Sequence, residues 1–110
     1  MTDGLKFLSI VYSNKEIRAM VYIHVRHTVE DYAKWREGFD KHAAARQAGG
    51  ATDEVYIMRN VDDPNEITVI LGWSDVAKAR AFTQSASLKE AMKKAGVTGP
   101  PEVRFLEAAN

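Results

Sequence analysis

Residues 53–82 read DEVYIMRNVDDPNEITVILGWSDVAKARAF, and this stretch decides the fold. Two apolar runs, Val55–Met58 and Ile67–Trp73, alternate in and out and flank the polar VDDPNE, which marks an antiparallel hairpin. Pro64 presets one backbone angle, while Asp62, Asp63 and Asn65 are suited to bonding their own backbone. The second run passes directly into a helical pattern, with Asp75 placed to cap its first turn.

Working outward, VYIHVRH at 21–27 is a further strand. Val21, Ile23 and Val25 share one side of it, and Tyr22, His24 and Arg26 share the other. Thr28 and Asp31 have the spacing of a capping box that opens a helix. Tyr32, Trp35, Phe39, His42 or Ala43, and Arg46 recur along that helix at helical spacing, and Gly49–Gly50 supplies its exit. Beyond the hairpin, the helix from Asp75 breaks near Ser85 and restarts at a Ser87–Glu90 box. Gly96 ends it. GPP at 99–101 then forces an extended entry to a last strand, EVRFLE, in which Val103 and Phe105 oppose Arg104 and Leu106.

The order β-α-β-β-α-β predicts an α+β, ferredoxin-like fold: one four-stranded antiparallel sheet with the helices on one face. The aliphatic strand faces belong under the helices. The opposite face then carries Tyr22, His24, Arg26, Tyr56, Met58, Thr68, Ile70, Arg104 and Leu106. That surface is too apolar for a monomer. A second copy laid on the same face, in a two-fold homodimer, covers it most economically and leaves a small polar-lined cavity between the two sheets.

Composition narrows the function. The 110 residues suit one domain, which buries roughly 65% of its unfolded surface. Fifteen acidic and fifteen basic residues give no net charge, so no basic stripe invites nucleic acid. Cysteine is absent, which excludes disulfides, thiolate metal sites and a cysteine nucleophile. No apolar run approaches the ~20 residues of a membrane span. LKFLSIVYS at 5–13 is short for a signal peptide and lacks its cleavage site, so a cytoplasmic protein is expected. Residues 1–19 form an extension to the domain at 20–110. Leu5–Tyr12 reads as a short edge strand or arm, and Met20, behind a stretch whose codons suit ribosome binding, reads as an internal start.

The stretches VEDYAKWREGFDKHAAARQAGG, DDPNEITVILGWSDVAKARAF and AGVTGPPEVRFLE, with the length and element order, resemble the dimeric α/β-barrel superfamily. The likeness covers roughly residues 20–108 and is nearest the antibiotic-biosynthesis-monooxygenase-like proteins. It implies two sheets packed face to face in a homodimeric α/β barrel. Its members include monooxygenases, muconolactone isomerases, polyketide cyclases, stress-response proteins and haem-handling enzymes, so the fold leaves the chemistry open. The haem-degrading branch carries a histidine on its second helix. None lies between Asp75 and Gly96 here, which counts against haem.

His24 has a suitable intrinsic pKa for a general base, or it is a hydrogen-bonded structural residue. His42 and Arg46, four apart on one helix face, either bind an anionic or carbonyl oxygen at the cavity mouth or complement the helix C-terminus. Tyr22 and Tyr56 are donors to a phenolic ligand or anchors of the dimer. Arg26 lines the same face. Arg104 pairs with a substrate carboxylate, with Glu102 or with a partner-chain acid. Trp35, Phe39 and Trp73 read as core, and His27, at the strand end, as solvated or part of the turn. No metal-ligand set, phosphate loop, flavin fingerprint or nucleophile elbow occurs, so neither metal nor cofactor is expected. The expectation is a cofactor-independent monooxygenase-, isomerase- or cyclase-like enzyme for a small aromatic or polyketide-like molecule. A non-catalytic ligand-binding dimer is the alternative.

Overall fold

The structure, a computed structural model, describes residues 21–109. The strand or arm expected in residues 1–19 lies outside them. The element order is β1 (Val21–Val29), α1 (Tyr32–Lys41), α2 (Ala43–Gly49), β2 (Ala51–Asn60), β3 (Asp63–Trp73), α3 (Val76–Thr83), α4 (Ala86–Lys94) and β4 (Val97–Leu106). The strands form one antiparallel sheet in the order β2-β3-β1-β4, the ferredoxin-like arrangement expected from the sequence.

Local chemistry fixes most of the joints. Asp75 caps α3 by accepting from the Lys78 amide at 2.8 Å. Gly50 closes α2 at φ 117°, a left-handed conformation that a side chain rarely tolerates. Two expected caps differ. Asp31, not Thr28, accepts from the Lys34 amide at 2.9 Å, so β1 runs on to Val29. Ser85, not Ser87, accepts from the Leu88 amide at 3.1 Å, which frees Ser87 for another contact. The expected single first helix is broken at His42 into α1 and α2. The hairpin turn shrinks to Val61–Asp62, with Pro64 and Asn65 drawn into β3.

The core lies between the sheet and the helices. Ile23, Ile67 and Trp73 are its fully buried large side chains, joined by Val25, Val29, Val69 and Leu71 from the strands and Trp35 and Phe82 from the helices. Trp73 donates its indole N–H to the Gly49 carbonyl at 2.8 Å and packs on Phe82, ring centroids 4.6 Å apart. It ties α2, β3 and α3 into one unit.

Candidate functional site: a chamber between the helices and the sheet

The pleat sorts the candidate residues onto two sides of the sheet. On the open side, Tyr56, Ile70, His24 and Arg104 stand in one cross-strand row, and Met58, Thr68, Arg26 and Glu102 in the next. Tyr56, Met58 and Leu106 remain about half exposed there, a large apolar area for a sheet face. The structure thus gathers Tyr22, His24, Arg26, Tyr56 and Arg104 on one surface, as the alternation predicts.

Two carboxylates organise this surface: Glu54, which the sequence does not reveal, and Glu102, one of the partners expected for Arg104. Glu54 lies where β2 carries extra residues between Ala51 and Val55, a bulge that re-aims its side chain. Its carboxylate accepts from the Tyr22 hydroxyl at 3.0 Å and from the Tyr56 hydroxyl at 3.5 Å. Tyr22 reaches across because its neighbour on β3 is Gly72, which puts no side chain in the way. At the other end Glu102 bonds Arg26 at 2.8 Å and Arg104 at 2.7 Å, and these two cations hold its carboxyl below the usual carboxylate range, Arg26 most strongly. Both arginines proposed for ligand binding therefore already share an acid. Between the clusters, Nδ1 of His24 is buried with no hydrogen-bond partner among the described residues.

His42 and Arg46 stand apart from these residues. They line a chamber of about 60 Å³ on the helix side of the sheet, together with His27, Trp35 and Phe39. Its remaining walls are aliphatic or aromatic apart from Thr83. An outer groove of about 310 Å³ between α4 and β4 shares Val25, Thr83, Leu88 and Met92 with it, so the two spaces adjoin. The chamber alone holds only a few water-sized molecules, whereas the groove reaches the lower range of ligand pockets.

Arg46 is a buried cation, 8% exposed, and among the described residues it makes no ion pair. Its guanidinium donates to the Phe39 carbonyl at 2.7 Å and lies 3.7 Å from the centroid of the Phe39 ring. Burial pushes its pKa down, against the smaller opposing effect of the Asp40 charge, and a guanidinium stays charged at neutral pH. His42 sits in the α1–α2 break, where its backbone N–H donates to the Gly38 and Phe39 carbonyls and its side chain makes no cap hydrogen bond. Its Nε2 lies 3.2 Å from the Ser87 hydroxyl. Burial, then the Arg46 charge, pushes its pKa down.

His27 corrects the sequence reading: it is 6% exposed and within β1, neither solvated nor part of the turn. Because β1 continues to Val29, the alternation of Ile23 and Val25 carries His27 under the helices, 5.7 Å from the Trp35 ring. Neither ring nitrogen has a hydrogen-bond partner among the described residues, and burial pushes the pKa down. An unpaired buried polar atom costs about 1–3 kcal/mol, so this histidine is an expensive way to fill a core position. Trp35 and Phe39 belong to the core as expected, but they are also chamber walls.

Two depressed histidines set a pH dependence. Below about pH 6.5 an unfolded imidazole takes a proton that the folded one resists, so the unfolded state binds more protons. The stability they contribute is complete above that pH and is lost as pH falls toward their folded pKa values. The urea midpoint is expected to drop between pH 7.5 and 5.5, and His27→Phe is expected to flatten that slope. An unchanged slope in the variant excludes His27 as a cause.

Among the described residues no cluster of three or more His, Asp or Glu side chains can hold a metal ion, and no helix is long and apolar enough to cross a membrane. No family model matches the chain, and no curated protein matches it. Solved structures do. A candidate antibiotic biosynthesis monooxygenase from Bordetella bronchiseptica is 20% identical, with a TM-score of 0.71 over 84% of this chain and 100% of that one. SnoaB, a cofactor-independent oxygenase from Streptomyces nogalater, is 21% identical, with a TM-score of 0.66 over 82% and 93%. A second candidate monooxygenase, from Caulobacter crescentus, is 16% identical, with a TM-score of 0.64 over 86% and 93%. At these identities the likeness is one of fold.

Proposed function

We propose that the protein is a cytoplasmic, cofactor-independent monooxygenase-type enzyme for a small acidic aromatic or polyketide-like molecule. The substrate body lies in the groove between α4 and β4, and its reacting end enters the chamber beside Arg46 and His42. The observation that carries this reading is Arg46: a buried cation that makes no ion pair among the described residues, facing an apolar space, awaits a negative charge.

The chemistry needs no organic or metal cofactor. An anthrone or hydroquinone that loses a proton becomes an electron-rich anion, with its charge delocalised onto an oxygen that Arg46 can meet. The anion passes one electron to dioxygen, and the resulting radical and superoxide combine as a hydroperoxide. Loss of water then leaves the new ketone of an anthrone, or the hydroxylated quinone of a hydroquinone. For an anthrone, one ring methylene and one dioxygen give one carbonyl and one water. The same anion serves an isomerase or cyclase, which consumes no oxygen. Similarity of fold to SnoaB supports the oxygenase reading over these two.

A second reading places the reaction on the open sheet face, with His24 as the base and Tyr22, Tyr56, Arg26 and Arg104 around the ligand. The orphaned Nδ1 of His24 favours it. It requires a second copy to seal that face, and the half-exposed Tyr56, Met58 and Leu106 argue for such a homodimer.

An oxygen electrode tests the first reading with a panel of anthrones and hydroquinones and metal-free, flavin-free protein. One dioxygen per quinone formed is expected, at a rate well above the spontaneous one. Tight binding of the panel without oxygen uptake overturns the oxygenase reading in favour of a ligand carrier. Sedimentation at micromolar concentration is expected to give twice the chain mass, and a monomer removes the His24 alternative.

A further inference from the structure

A histidine buried without hydrogen bonds is poorly explained by packing, since leucine or phenylalanine would fill the same space without polar atoms. His27 sits at the inner wall of the chamber, paired with Ile67 of β3 at the point where the pairing of β1 with β4 shifts register. Trp35 covers one side of its ring. Its two nitrogens are buried and lack protein partners among the described residues, and the residue is part of the chamber wall. A partner for this imidazole therefore has to enter from outside.

We infer that His27 is a catalytic residue: the base that removes the acidic proton of an anthrone-like or phenolic substrate whose oxygen faces Arg46. This rests on the chamber being the active site. One ring nitrogen accepts the proton, and the C–H or O–H bonding pair stays on the substrate as the anion. The imidazolium then returns that proton to the hydroperoxide formed with dioxygen, so His27 ends neutral before the second proton leaves with water. Burial keeps the ring in its proton-accepting form at neutral pH.

The other titratable groups facing the chamber are His42, at the α1–α2 break, and Arg46 of α2; the sheet, α3 and α4 contribute none. His42 is the weaker base candidate, because its Nε2 is already engaged with Ser87. Arg46 carries no lone pair to accept a proton. The site thus divides its labour between one acceptor and one fixed cation.

Dithranol, an anthrone that forms a coloured anion, is the test molecule. With wild type in air, its oxidation is expected to follow a pH–rate profile whose acid limb belongs to His27. His27→Asn and His27→Phe are each expected to lower kcat/KM at least 100-fold and to lose that limb, with dithranol affinity changed less than threefold. Variants that keep native near-ultraviolet circular dichroism and a rate within threefold of wild type overturn the assignment.

A titration under argon separates this inference from the reading beneath it. The His27 ring ¹⁵N shifts are followed together with the anion's absorbance. The expected result is an imidazolium at His27 appearing in step with the bound anion. Anion bound at Arg46 beside a neutral His27 refutes the base and leaves the chamber standing. Dithranol that perturbs no chamber residue removes both.

Discussion

Trp73→Ala is expected to remove about 3–5 kcal/mol of stability, the range for deleting a buried aromatic side chain. Trp73 is fully buried at the end of β3, against Phe82 of α3 and under the last turn of α2. Truncation opens a cavity that Gly49 and Gly50, which already pack tightly against the indole, cannot fill with side chains of their own. It also strands the Gly49 carbonyl that the indole N–H satisfies. A domain of this size has about 5–15 kcal/mol in total, so the variant sits near the edge of folding. Its melting temperature should fall by roughly 15–30 °C. Thermal melts followed by circular dichroism measure this, with Val61→Ala as control because Val61 is 96% exposed in the turn. A loss below 1 kcal/mol means that α2 is held by something other than Trp73.

The same residues show why the fold was legible in the sequence and the site only partly so. Period-two alternation in Val21–Val25 and Ile67–Leu71 assigns faces, and the structure pairs those faces across strands as the alternation requires. Glycines 50 and 96 mark helix ends because positive φ there excludes most other residues. Caps are harder, since Thr28 and Asp31, or Ser85 and Ser87, compete for the same role over two or three positions. That small ambiguity had a large effect at His27. Ending the strand at a Thr28 cap leaves His27 in solvent or in the turn, whereas extending it to Val29 turns the ring inward. The signal was present, because His27 continues the series of Ile23 and Val25. Glu54 carried no such signal. Its aim depends on a bulge measured against β3 and on the missing side chain of Gly72, both set by cross-sheet pairing. His42 and Arg46 were recognisable as a pair four residues apart. Their separation from His24 by the thickness of the sheet follows only from how α2 packs.

Arg46→Met should lower turnover of an anthrone by about 100- to 1,000-fold, the scale for removing a fixed group that meets developing negative charge. Methionine keeps an unbranched apolar stem in the space between Phe39 and the chamber and deletes the charge. Stability should change far less. The substitution forfeits one bond to the Phe39 carbonyl and a cation–π contact, together about 1–3 kcal/mol. It also relieves the burial of a cation that has no ion-pair partner among the described residues, a gain of the same order. The net shift is expected within about 1 kcal/mol of zero, by urea denaturation of variant and wild type. Arg46→Lys, which restores charge without the planar fork, should recover part of the rate. The opposite pattern has a definite meaning. If Arg46→Met costs more than 2 kcal/mol and its residual activity simply tracks the folded fraction, the guanidinium is a strut between α1 and α2. The chamber then loses the charge on which its chemistry depends.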